Sequence, residues 1–103
     1  MTSLSQTTIF SPRARGYVTQ LTQHFGHKIR VEHVESEGEC TAVFHFSAGT
    51  AHVRADEKSL TLSARAATVG QLRQIEDIIG AHLERFAFRE DLRVVWPEEN
   101  SIE

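Results

Sequence analysis

Apolar residues recur along this chain with two distinct periods. After Ser11 and Pro12, the residues Ala14, Tyr17, Val18, Leu21 and Phe25 fall three and four apart, which marks one buried face of a helix. Ser11 reads as an N-cap and Pro12 as a first helical residue. The spacing predicts a helix over 12–25, ended by Gly26 in the left-handed conformation that glycine adopts without steric cost.

From 28 to 66 the period drops to two: Ile29 and Val31; Cys40, Ala42, Phe44 and Phe46; Ala51, Val53 and Ala55; Leu60, Leu62 and Ala64. Four strands in a meander are expected, broken at ESEG (35–38), SAGT (47–50) and DEKS (56–59). Pairing Phe44 with Val53 and Phe46 with Ala51 on the core face puts His45 opposite His52 on the other face. Carried through DEKS, the same rule pairs Val53 with Leu62, Arg54 with Thr61 and His52 with Ser63.

Thr68 and Gln71 form a T-x-x-Q capping box, and Val69, Leu72, Ile75, Ile79, Leu83 and Phe86 continue as one stripe, so a second helix is expected over 69–86. Gly80 within it costs about 1 kcal/mol relative to alanine, which signals either close packing or a local weakness. Leu92, Val94 and Trp96 alternate ahead of Pro97 and predict a last strand; TTIF (7–10) predicts a first. The order β-α-β-β-β-β-α-β implies an α+β two-layer sandwich, a mostly antiparallel sheet with both helices on one apolar face. We expect a single domain over 1–103, with an ordered core at about 6–97 and a frayed tail at 98–103.

With 103 residues, 40% of them hydrophobic, the chain has material for one core. A net charge of −3 with dispersed basic residues argues against a nonspecific nucleic-acid binder. Phe44 and Phe46 fall in the core phase, so no exposed aromatic platform is left for RNA. No long apolar run or basic leader indicates a membrane or export. Cys40 is the only cysteine, which rules out an intramolecular disulfide and points to a reducing, cytoplasmic setting. No phosphate-binding glycine loop, G-x-S-x-G elbow or H-E-x-x-H helix occurs, so no catalytic residue is assigned. Cys40 opposite His33 at a strand end can be imagined as nucleophile and base, but a buried thiol is the commoner case.

Three histidines carry the remaining chemistry. His82 falls in the apolar arc of the second helix and His24 at the edge of the first helix's stripe, with His27 just beyond Gly26. Three neutral imidazoles and an open position suit zinc or iron, which makes His24, His27 and His82 a candidate metal set. Against it, Gly26 breaks the helix between His24 and His27, and a histidine in a last turn is favoured by the helix dipole without any ligand. The other face of the sheet offers a second patch, His45, His52, Arg54 and Arg65, with Arg30 nearby, suited to an anion or a partner protein. A solvated sheet face explains the same residues, since alternation puts polar side chains there.

ARGYVTQLTQHFGHK and HLERFAFRE, with Trp96 downstream, resemble a bacterial family of small proteins known as domain of unknown function number 2218. The similarity runs from about Ser11 to Trp96. It implies no established activity; it implies proximity or fusion to siderophore-interacting flavoprotein reductases, hence iron or siderophore handling. The matching positions are Tyr17, Leu21, His24, His27, Lys28, His82, Leu83, Arg85, Phe86, Phe88, Arg89, Glu90 and Trp96. Gly16 departs from the pattern where a basic residue is expected. Similar sequences also carry a dihydroxyheptenedioate aldolase label, but such a barrel needs about 250 residues, so the label does not fit this chain. The expectation is therefore a binding or accessory domain, with His24, His27, His82, Arg85, Tyr17 and Arg89 as candidate ligand contacts. A small metal-dependent enzyme is the alternative. A symmetric homodimer through the sheet face or an edge strand is a further expectation. RFAFRE reads as the hinge into the last strand, with Phe88 plugging the end of the core.

Overall fold

The computed structural model describes residues 2–97 and 101–102. Its elements are β1 (Ser3–Phe10), α1 (Ala14–Phe25), β2 (Arg30–Ser36), β3 (Glu39–Phe46), β4 (Gly49–Ala55), β5 (Ser59–Ala66), α2 (Val69–Phe86) and the short β6 (Ser101–Ile102). The sheet order is β2-β3-β4-β5-β1-β6, every neighbouring pair antiparallel. This is the α+β architecture with the predicted element order, and both helices pack on one face of the sheet.

The core follows from the two periods. α1 buries Ala14, Tyr17, Val18, Leu21 and Phe25, while α2 buries Leu72, Ile75, Ile79 and Leu83. Beneath them lie Cys40, Ala42 and Phe44 of β3, Ala51 and Val53 of β4, and Leu60 and Leu62 of β5. Thr68 caps α2, its hydroxyl accepting from Gln71 N at 3.1 Å. Asp56 sets the β4–β5 turn: one oxygen accepts from Lys58 N and Ser59 N, both at 2.8 Å, and these bonds hold its carboxyl below the usual range.

Several local expectations are corrected. α1 begins at Ala14; Ser11 instead holds the turn before it, its hydroxyl accepting from Arg13 N at 3.0 Å. Gly26 is right-handed, at φ −61°, and glycine is required there because a Cβ would stand 2.8 Å from Thr22 O. The β3–β4 hairpin turns on Ser47 and Ala48 alone, pairing Phe46 with Gly49 and Phe44 with Ala51. His45 therefore faces Thr50 and His52 faces Val43, a slip of two residues that preserves every side chain's face. Gly49 stands in the ladder, and glycine is required there because a Cβ would lie 2.2 Å from Arg65 O. The pairings expected across the next turn, Val53 with Leu62, Arg54 with Thr61 and His52 with Ser63, are present.

Residues 92–97 form no strand. They run as a strap whose backbone bonds go to side chains: Val94 N donates to Glu84 Oε2 at 2.8 Å, and Thr7 Oγ1 donates to Val95 O at 2.8 Å. The alternation read there is real as burial, with Leu92 buried and Arg93 exposed, but no neighbour supplies a ladder. The strap packs over Gly80, where an added Cβ would meet Trp96 Nε1 at 3.4 Å and Val94 at 3.6 Å. These are ordinary contact distances, so a methyl fits beneath the strap and a larger side chain does not. Phe88 does not plug the core; it is 68% exposed, and Ala87 and Leu92 fill the end instead. The frayed tail expected at 98–103 falls largely on residues outside those described; Ser101 and Ile102 pair with Leu4 and Ser3.

Candidate functional site

α1 and α2 meet through the two signature segments. Phe25 is drawn into the core beside Phe44 and Phe46, and this seating brings His24, its neighbour in the last turn, against α2. The His24 and His82 ring centroids are 4.7 Å apart, tilted by 45°. Phe25 lies 4.8 Å from His82, and Phe86 lies 5.9 Å from His24. His82 is oriented by Nδ1, which donates to Ile78 O at 2.7 Å in the neutral ring and leaves Nε2 with its lone pair.

His24 titrates below its ordinary value, chiefly because its surroundings desolvate the charged form, with the neighbouring charges of His82, Lys28, Arg85 and His27 adding to the shift. Each of those neighbours is basic. Lys28, Arg85 and His27 are exposed, and among the described residues none of them is in an ion pair. The crossing thus collects three basic side chains, His27, Lys28 and Arg85, around a pair of touching imidazoles.

The three-histidine metal set is not assembled. His27 stands exposed past the end of α1 and takes no part in the ring contacts, since the chain turns through Gly26 before reaching it. Among the described residues no group of three or more His, Cys, Asp or Glu is placed to hold a metal. Two other candidate contacts are spoken for. Tyr17 is 5% exposed and its hydroxyl donates to Glu90, while Arg89 lies over the Phe88 ring at 5.6 Å.

Glu90 is a junction. Its carboxylate also accepts from Ser11 Oγ, at 2.9 and 3.0 Å to the two oxygens, which ties the end of HLERFAFRE to the start of α1. Burial, followed by the bond to Glu90 and that residue's charge, pushes the Tyr17 hydroxyl up to about 12. Spacing alone carried no signal for this pairing of Tyr17 with Glu90. Nor did it flag Glu76, which is 3% exposed in the α2 stripe and takes Arg73 Nη1 at 3.0 Å on one oxygen. Position one residue beyond Ile75 on the helix is the only hint that sequence offers for its burial.

His33 Nε2 lies 3.3 Å from Cys40 Sγ. Burial raises the Cys40 thiol, and the nearby Glu35 charge raises it further, opposite to the activation that a nucleophilic cysteine requires. On the outer face, the second patch divides. His52, Arg54 and Arg65 line one concavity, whereas His45 is held by Glu32 Oε2 at 2.6 Å and Arg30 lies 3.7 Å from the same oxygen.

A search of curated proteins finds no match. Among solved structures, the NMR structure of PA4090 from Pseudomonas aeruginosa is similar, with 25% identity, a TM-score of 0.69, and coverage of 97% of this chain and 98% of that one. The model of a family described as an uncharacterized protein conserved in bacteria, DUF2218, matches residues 6–97. With the match spanning the helices, the meander and both signature segments, the chain belongs to that family.

Proposed function

We propose that this domain is a non-enzymatic binding module that receives an anionic ligand at the α1–α2 crossing, and that the ligand is an anionic iron chelate of the siderophore type. The observation that carries the reading is the His24–His82 contact, 4.7 Å between centroids, set among basic side chains. A bare dication would meet repulsion from Lys28 and Arg85 and would find only two imidazoles. An anionic chelate would meet favourable charge and could bond Nε2 of His82. The family resemblance supplies the link to iron and the partner, a siderophore-interacting flavoprotein reductase, in a reducing cytoplasm where Cys40 remains a thiol.

The test is an NMR titration of the imidazole resonances with gallium citrate, a diamagnetic stand-in for a ferric chelate. The reading expects saturable shifts of His24 and His82, lost in His24→Ala and His82→Ala. Stoichiometric zinc binding by the pair, with no response to gallium citrate, would replace this reading with the metal-enzyme alternative. A pull-down with the reductase tests the partner separately.

A further inference from the structure

The sheet face turned away from the helices is hollow. A concavity of about 600 Å³ opens there across β3, β4, β5 and β1, within the size range of small-molecule sites. The ladder fixes its layout. Arg54 is level with Thr61, His52 with Ser63, and Thr50 with Arg65. Arg65 is four residues along β5 from Thr61, so the two arginines stand about 13 Å apart along the strands and one strand apart across them. Between them the floor is polar: Ser63 Oγ donates to Gln6 Oε1 at 3.0 Å, and His52 stands beside it.

The charge is one-sided. Arg65 has no ion pair among the described residues, and Arg54 has only a loose one, 3.8 Å from Glu39, the single carboxylate that lines the hollow. Each guanidinium presents a planar fork matched to a carboxylate or phosphate. No Phe, Tyr or Trp lines the hollow to stack on a base.

We propose that this hollow is a second binding site, distinct from the helix crossing, for an elongated organic dianion with one acidic group at each end. Arg54 takes one end, with Thr41 and Thr61 level with it, and Arg65 the other, while His52 and Ser63 offer hydrogen bonds to the middle. A ligand with a single acidic group leaves one guanidinium unused. Affinity in this site therefore depends on the second charge.

Suberate is the probe, added to the intact protein and followed by amide shifts and calorimetry, with octanoate and inorganic phosphate as one-ended comparisons. The proposal expects suberate to move the amides of Arg54, Thr61, Ser63 and Arg65. It expects Arg54→Ala and Arg65→Ala each to weaken binding roughly tenfold, the size of one lost charge-assisted pair, and octanoate to bind weaker by a similar factor. Both arginines are exposed, so the variants keep the fold. His24→Ala should leave suberate binding unchanged, which separates this site from the first. Unmoved amides, equal binding of octanoate or phosphate, full affinity in either arginine variant, or loss of binding in His24→Ala would each overturn the proposal.

Discussion

Tyr17→Phe isolates the junction between the two signature segments. The substitution keeps the buried ring and removes one hydroxyl, so it opens no cavity and deletes the bond to Glu90. A hydrogen bond to a charged acceptor contributes about 1.5–3 kcal/mol. Because Ser11 keeps its bonds to both Glu90 oxygens, at 2.9 and 3.0 Å, the carboxylate is not orphaned and the low end, about 1.5 kcal/mol, applies. In a domain of this size that lowers Tm by about 6–12 °C. Urea denaturation followed by the fluorescence of Trp96, the only tryptophan, measures the loss.

The same bond makes an alkaline prediction. The folded state holds the Tyr17 proton up to about 12, whereas the unfolded chain releases it near 10.0. Stability from this group is complete below pH 10.0 and drains away as pH rises toward about 12, so the wild type's margin over Tyr17→Phe narrows across that window. Tyr17 is the only tyrosine, and tyrosinate absorbance therefore reports it alone. Equal stability of the two proteins at neutral pH, or a tyrosinate transition at the ordinary value in the folded state, would refute the reasoning.

Other outcomes follow from the same geometry. His24 titrates below its ordinary value of 6.5, so its contribution is complete above pH 6.5 and is lost as pH falls through the depressed folded value; His24→Gln should remove this acid-sensitive component, read by urea midpoints against pH. An unchanged profile would rule it out. Gly80→Ala, whose methyl meets Trp96 Nε1 at 3.4 Å, should be near neutral or gain up to about 1 kcal/mol of helix propensity, while Gly80→Leu should displace the strap and red-shift Trp96 fluorescence. Cys40, fully buried with a raised thiol, should resist a thiol reagent in the folded protein and react at once in urea; rapid labelling under native conditions would contradict its burial. Leu83→Ala, which empties a fully buried position between helix and sheet, should cost about 2–5 kcal/mol in denaturant titrations.

The helices and β3, β4 and β5 were legible because their burial is one-sided, and a side chain's period then reports its face; β2, exposed but for Val31, signalled itself only through Ile29 and Val31. The first half of β1 was not, because Ser3 and Ser5 are the residues turned inward, opposite Ala66 and Ala64, and carry no apolar signal. Face and register also proved separable. Alternation assigned Phe44 and His52 to their sides, but the β3–β4 register hung on whether Gly49 was loop or ladder, and the alternation is the same in both cases. At the helix crossing, the helical period placed His24 and His82 toward the interior, and the packing of α1 on α2 completed their contact. The link from Tyr17 and Ser11 to Glu90 joins residues more than seventy positions apart, and no local pattern encodes it.

The placement of β1 has a practical consequence for handling this protein. β5 acquires its outer partner from the opposite end of the chain, through eight consecutive register positions from Ser3–Ala66 to Phe10–Ser59. A fragment begun after residue 10 would keep its helices and meander yet present β5 as a bare row of amides and carbonyls. Such a fragment should fail by sticking to its own copies rather than by melting, and N-terminal fusions need a spacer ahead of Ser3 if that seam is to close.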